Sequence, residues 1–209
     1  MNLKNVFFAI GIAASVLAHA GVEEGLAAYK TKDFKTALAE WLPLAKQGNA
    51  DAQRYMGVLY ASGQGVTQDF KQAIDWTRKA AEKGQADAQT NLGIAYINGK
   101  GVAQDYQMAA SWFRKAAAQG NAAAQGSLGV MYARGLGVPR LRVAAGALYI
   151  HSATSDLTGS RNASRNGLDL KLTAADQAAI EILNGEMAKP NNLLNALDNY
   201  VKNPTEVIQ

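Results

Sequence analysis

The sequence predicts an all-α chain: an α/α solenoid of about four helix–turn–helix repeats closed by a C-terminal helical cap. Three observations predict it. A 36-residue unit recurs without a gap, alanine-rich segments carry apolar residues at helical spacing, and the alternation that marks strands is missing.

Residues 1–20 read as a cleavable export signal. Lys4 supplies a positive start, and Val6 to Leu17 is an uncharged apolar run. Ala18-His19-Ala20 then offers small residues at the two positions a signal peptidase needs. The run is 12 residues long, against about 20 for a membrane-spanning helix. Cleavage is expected after Ala20, leaving Gly21 first, in the periplasm or outside the cell and with no stable membrane anchor. The absence of cysteine excludes a lipid-modified cysteine and any disulfide. Net charge is +4, or +3 once Lys4 is removed. Such a small, scattered excess argues against a nucleic-acid partner, which calls for a dense basic face.

The repeats follow. Asp51–Ala86 and Asp87–Ala122 share 18 of 36 positions, and a third copy covers 123–155. Gly57, Gly93 and Gly129 recur, as do Tyr60, Tyr96 and Tyr132. So do the pairs Gly63/Gly65, Gly99/Gly101 and Gly135/Gly137, each followed by valine. The first helix of a copy should stop where Gly63 adopts the left-handed conformation. Asp69 and Asp105 stand where a carboxylate caps the second helix. Ala73, Trp76 and Ala80 outline that helix's inner stripe, as Trp112 does one copy later. A mid-helix glycine costs about 1 kcal/mol relative to alanine. Its recurrence therefore predicts two helix backbones packed closely together. Residues 21–50 form a degenerate N-terminal repeat that lacks the glycine-rich turn and needs a tighter one. Pro43 falls inside its second helix and should kink it.

Residues 156–209 depart from the repeat and read as C-terminal capping helices and tail. Thr173 and Asp176 resemble a capping box, followed by Ile180, Leu183 and Met187 on one side. Leu193, Leu194, Leu197 and Tyr200 outline a last helix after Pro190. Gly159–Gly167 reads as a polar connection.

The pattern Ala88, Leu92, Gly93, Tyr96, Gly99, Gly101, Val102, Asp105, Ala109, Trp112, Ala116, Ala117 and Gly120 resembles the Sel-1-like repeat, a relative of the tetratricopeptide repeat. The resemblance is tightest in the two central copies. It weakens in the third, where Leu141 replaces the capping aspartate and Leu148 the tryptophan. It implies a superhelix with a concave protein-binding face, and a role as an adaptor or scaffold for a protein partner. Cysteine-rich members linked to β-lactam chemistry are no guide, because this chain has no cysteine.

Chemistry finds little support. The Gly-x-Gly pairs have no preceding strand and no third glycine, as a phosphate cradle would need. His151 is the only histidine after residue 20, so zinc would need mostly carboxylates. Ser-x-x-Lys and Gly-x-Ser-x-Gly are absent. Glu181 and Glu186 point about 140° apart on a helix. No catalytic residue, metal site or cofactor is therefore assigned. An envelope inhibitor or immunity-type protein is the alternative reading, with a hydrolase behind it.

Comparing the copies gives a candidate surface. On each first helix the copies agree over Gln53, Met56, Gly57 and Tyr60, and differ at Tyr55, Leu59 and Ser62. The equivalents are Asn91, Ala95 and Asn98, then Ser127, Met131 and Arg134. These nine residues are expected to line the concave side. Arg134, Arg140 and Arg142 form a second candidate, a docking spot for an anionic group. The export reading has a direct check: mass spectrometry of the exported protein should find Gly21 at the N-terminus, and an intact Met1 on membrane-bound protein refutes it.

Overall fold

The computed structural model describes residues 19–155 and 172–205. The apolar run of the export signal and the Gly159–Gly167 connection lie outside the described residues. Ten helices and no strand occur among the described residues. Helix α1 covers 19–30 and α2 Phe34–Lys46. Then come α3 (Ala50–Ser62), α4 (Phe70–Glu82), α5 (Ala86–Asn98), α6 (Tyr106–Ala118), α7 (Ala122–Arg134) and α8 (Arg142–Ser155). The chain ends with α9 (Ala174–Met187) and α10 (Leu193–Lys202). It divides into two compact units, Met1–Ala88 and Gln89–Gln209.

The first unit is centred on Trp41, which has no exposed surface. Its indole N–H donates to the Val22 carbonyl at 3.1 Å, and Gly25 lies so close that a Cβ would overlap the ring. Glu23 and Glu24 therefore sit in a helix that the buried Val22 anchors. The expected tighter turn is present: two residues separate α1 from the capping Asp33, and Lys32 takes φ of 65°. Helix α2 continues through Pro43 to Lys46.

The first full repeat pairs α3 with α4. Gly63 ends α3 in the left-handed conformation, φ 70°. The Asp69 amide then donates to the Tyr60 carbonyl at 2.9 Å, which closes the loop. The Asp69 carboxylate accepts from the amides of Lys71 and Gln72 at the start of α4. At mid-helix, a Cβ on Gly57 would overlap the Thr77 hydroxyl and stand 3.2 Å from the Ala73 carbonyl oxygen. Ala73 and Ala80 are buried as expected, but Trp76 is only half-buried; Ile74 and Thr77 are its buried neighbours.

The second unit repeats this arrangement. Asp105 caps α6 through the Met108 amide, and its own amide donates to the Tyr96 carbonyl at 3.0 Å. A Cβ on Gly93 would stand 2.7 Å from the Phe113 ring, and one on Gly129 2.9 Å from Tyr149. In the third copy Leu141 replaces the capping carboxylate and is buried instead. Its amide still closes the loop on the Tyr132 carbonyl at 2.9 Å.

Two contacts that sequence reading missed join one pair to the next. Gln53 Nε2 donates to the Ala45 carbonyl of α2 at 3.0 Å, and Gln125 Nε2 to the Ala117 carbonyl of α6 at 3.2 Å. The second loop glycine does more than turn the chain. A Cβ on Gly65 would stand 2.7 Å from the Phe34 carbonyl oxygen, and one on Gly137 would overlap the Tyr106 backbone.

Helices α9 and α10 close the second unit. Thr173 and Asp176 form the expected capping box. Ile180, Leu183, Met187, Leu193 and Leu197 join the same buried cluster as Leu128, Met131 and Leu148. Ion pairs Arg114–Asp198 at 2.5 Å and Arg142–Asp176 at 3.6 Å flank that interface. The close packing has a measurable consequence. Replacing Gly93 with valine should cost about 1–3 kcal/mol, as overpacking does, whereas Asn98→Ala, on the exposed side of the same helix, should change little. Urea melts that rank the two variants equal would refute the packing role of the glycine.

Candidate partner-binding surface

Burial sorts the nine expected surface residues into three rows. Ser62, Asn98 and Arg134 are exposed, while Tyr55, Asn91 and Ser127 are half-buried. Leu59 and Met131 have no exposed surface and Ala95 has 9%. This last row is a correction: these side chains belong to the core and are closed to a partner. At 100° per residue, position 59 lies 40° from position 55 toward the packed side. That rotation puts it against the same neighbours as Ala52 and Met56.

The row that faces out instead is Val58, Ile94 and Val130. It lies 60° from position 55 in the opposite sense. Ile94 is 44% exposed, and Val58 and Val130 are half-buried. On each first helix the open stripe therefore runs through positions 55, 58 and 62, or their equivalents. All three residues of this middle row are β-branched and apolar, a sameness from copy to copy that does not mark them as accessible in the sequence.

In the first unit, Tyr55 is held rigidly. Its ring stacks on Trp41 at 4.3 Å and 11°, and the Arg54 guanidinium covers the ring at 4.0 Å. Ser62 Oγ and Tyr29 Oη both donate to Gln64 Oε1 at the end of α3. In the second unit, Asn98 Nδ2 donates to the Ile94 carbonyl and Ser127 Oγ to the Ala123 carbonyl.

The three arginines do not act as one cluster. Arg134 is exposed at the end of α7. Arg140 Nε donates to the Ala133 carbonyl at 3.3 Å, which holds it beside that helix end. Arg142 turns away and pairs with Asp176, so its charge serves the cap. Backbone and side-chain hydrogen bonds from Thr173 hold the Asp176 carboxyl below its ordinary range, and Arg142 adds to them.

His151 lies half-buried on α8. Burial pushes its imidazole below the ordinary value, and a hydrogen bond with the Asn184 side chain works in the other direction. Among the described residues, no three His, Asp or Glu side chains stand close enough to hold a metal ion. An apolar groove of about 250 Å³ between α9 and α10 is lined by Ile182, Leu183 and Tyr200 among others. Ile182, 71% exposed, stands at its edge. No described helix is long and apolar enough to cross a membrane.

Stacked pairs of 13-residue helices, joined by recurrent glycine turns and opened on one stripe per first helix, define a helical-repeat solenoid of the interaction-scaffold kind. The Sel1 repeat family matches residues 50–85, 86–121 and 122–154. The chain belongs to that family. It is similar to the crystal structure of a Sel1 repeat protein from Oxalobacter formigenes. The two are 37% identical with a TM-score of 0.60, over 71% of this chain and 43% of the other. It is also similar to a protective antigen with an SLR fold, present in uropathogenic Escherichia coli strains. Here identity is 31% and the TM-score 0.57, over 92% of this chain and 50% of the antigen. The chain thus spans half or less of these relatives' lengths. No curated protein matches it.

The His151 environment sets a pH dependence. Its folded-state value lies below the ordinary 6.5, so the unfolded chain takes up the proton first as pH falls. Its contribution is complete above pH 6.5 and is lost as pH falls from there through the lower folded value. Thermal melts should therefore show stability falling on acidification below about pH 6.5, with a shallower fall in His151→Gln. An identical pH profile in the variant would refute this.

Proposed function

We propose that the chain is an exported, non-catalytic scaffold that holds a protein partner on the open stripe of its first helices. The observation that carries this reading is the repetition of apolar Val58, Ile94 and Val130 at one position, exposed at Ile94 and partly exposed at the other two. Burying one such side chain in a partner gains about 1.5–3 kcal/mol at full burial. Ile94 is 44% exposed, while Val58 and Val130 are half-buried and Val130 also packs in part against the core. The half-buried and exposed rows beside them change from copy to copy, which suits a ligand that does not repeat. Sel1 repeats in general serve protein–protein interaction, which supports a protein as the ligand. The Lys4 to Ala20 segment supports export.

A photo-crosslinking residue placed at Val58, Ile94 or Val130 should capture a partner from envelope extract. The same residue at Ile182, which is exposed and apolar but off the stripe, should not. Ile94→Glu should weaken capture about tenfold, the equivalent of 1.4 kcal/mol, with helical circular dichroism unchanged. Capture from Ile182 alone would move the binding surface to the cap and refute the stripe.

A further inference from the structure

Granted the scaffold reading above, one cation of the first unit narrows the chemistry of the partner. Arg54 lies on α3 one turn before Val58 and about 40° from it around the helix. Its guanidinium covers the Tyr55 ring, with Cζ 4.0 Å from the centroid. The opposite face of that ring is stacked on Trp41 at 4.3 Å. Indole, phenol and guanidinium thus form three layers. The other copies do without the third layer, since the equivalent residues are Thr90 and Gly126. Thr90 is buried, and its hydroxyl donates to Asn121 Oδ1 at 3.2 Å.

The Arg54 side chain is 18% exposed. Its Nε is buried without a hydrogen-bond partner. Among the described residues the guanidinium makes no hydrogen bond, and its terminal nitrogens reach the surface. The nearest carboxylate oxygen, Asp87 Oδ2, stands 4.0 Å from Nε, too far for a hydrogen bond. Asp87 approaches on the Nε side, so the outer edge with the two terminal nitrogens faces away from it. Asp51, one turn earlier on α3, accepts from Gln85 Nε2 at 3.3 Å instead. A largely buried cation with its donors unspent is costly to the fold. Two of the three copies show that packing can be completed without it.

Stacking fixes the plane of a guanidinium and leaves its in-plane N–H groups to hydrogen-bond. Two parallel N–H groups on one edge match the two oxygens of a carboxylate. Such charge-assisted pairs are about twice as strong as neutral ones. A backbone carbonyl has one oxygen and no charge, so it matches half of that edge. Asp87 is 56% exposed, and water at that position weakens its repulsion of an arriving carboxylate.

We infer that Arg54 binds the carboxylate of an aspartate or glutamate side chain on the partner protein. The Trp41–Tyr55 stack holds the guanidinium in place, and its outer edge makes the fork. The first unit therefore requires an acidic residue where the equivalent positions of the second unit, Thr90 and Gly126, carry no charge.

Nuclear magnetic resonance on the full chain tests this. Arg54 Nε–H is shielded from water, so its signal reports on the site. The probes are the capped tripeptide acetyl-Leu-Glu-Leu-amide and its counterparts with glutamine or phosphoserine in the middle. The glutamate peptide should shift that signal saturably and bind about tenfold more tightly than the glutamine peptide, as a charge-assisted pair replaces a neutral one. Variants are read at the backbone amides of Tyr55 and Val58. Arg54→Gln should abolish binding, and Arg54→Lys should weaken it about tenfold because the fork is lost, both with unchanged circular dichroism. Asp87→Asn leaves Arg54 in place and should tighten binding about twofold by removing the opposing charge. It keeps the test decisive even if Arg54→Gln unfolds. No saturable shift, equal binding of the glutamate and glutamine peptides, tightest binding by the phosphoserine peptide, or weaker binding in Asp87→Asn overturns the inference. Crosslinking from Val58, Ile94 and Val130 judges the scaffold reading separately, so the two failures are distinguishable.

Discussion

A 13-residue helix is marginal by itself in water, and six of the helices here have that length. Their stability comes from packing, and packing is closest at the mid-helix glycine of each first helix. Gly57 meets Thr77, Gly93 meets Phe113 and Gly129 meets Tyr149, at equivalent positions in three copies. The copies keep the hole and change what fills it. A methyl group on the glycine would collide with a hydroxyl in one copy and with an aromatic ring in the next. Alanine would favour each isolated helix by about 1 kcal/mol, yet the site excludes it. The close approach of the two backbones therefore outweighs helix propensity, and the loop geometry follows from it. Once the helices cross there, the chain must reverse within a few residues. The left-handed Gly63 and Gly135 and the amides closing on Tyr60, Tyr96 and Tyr132 accomplish this.

Stacking one pair on the next rests on a different device. The last-turn carbonyls of α2 and α6 have no partner within their own helices. Ala45 O accepts from the Gly48 amide and from Gln53 Nε2, and Ala117 O from the Gly120 amide and Gln125 Nε2. Both lone pairs of each carbonyl are used, and each glutamine fixes the height at which the next helix docks. The cost is visible too, because Oε1 of Gln53 and of Gln125 is buried without a hydrogen-bond partner. A buried acceptor left unpaired costs about 1–3 kcal/mol. That both glutamines carry this cost at the same register indicates that docking height matters more than complete pairing. The cap uses neither device. It presses Ile180 against Gly146, where a Cβ would stand 2.5 Å from the isoleucine, and adds two ion pairs at the rim.

Much of this was legible because local rules and repetition agree. Asp69 and Asp105 cap, Gly63 turns, and Thr173 with Asp176 forms a box, each from interactions within a few residues of sequence. The glycine-mediated contact was legible because a residue unfavourable to a helix recurred at one register. The docking glutamines were visible as recurring letters, but their target carbonyls lie on another helix, and sequence spacing does not name those. The pairing of Arg142, one of the three arginines of the candidate docking spot, was not legible because Asp176 is 34 residues away, in a segment outside the repeat. The middle of the expected stripe is displaced by one residue, since Leu59 and Val58 stand 100° apart on the helix. Tyr55 and Ser62 were placed on its flanks, yet Leu59 was taken for its middle.

The exchange of Val58 for Leu59 has an instructive cause. Comparing copies treats sameness as the mark of packing and difference as the mark of a ligand. Val58, Ile94 and Val130 break the rule, being alike in all three copies yet fully buried in none. Leu59, Ala95 and Met131 break it the other way, since they differ and are buried. A buried position can vary when its neighbours vary with it: Ala95 is much smaller than Leu59 or Met131, so adjacent side chains must take up the difference. An open position can stay constant when the same ligand chemistry meets every repeat. On the proposed reading, the two kinds of row divide the work of recognition. The recurring apolar position contributes contact area repeat by repeat. The changing flanks, from Tyr55 to Asn91 to Ser127 and from Ser62 to Asn98 to Arg134, decide which chain is accepted. Affinity then scales with the number of repeats engaged, and specificity with the residues in which those repeats differ.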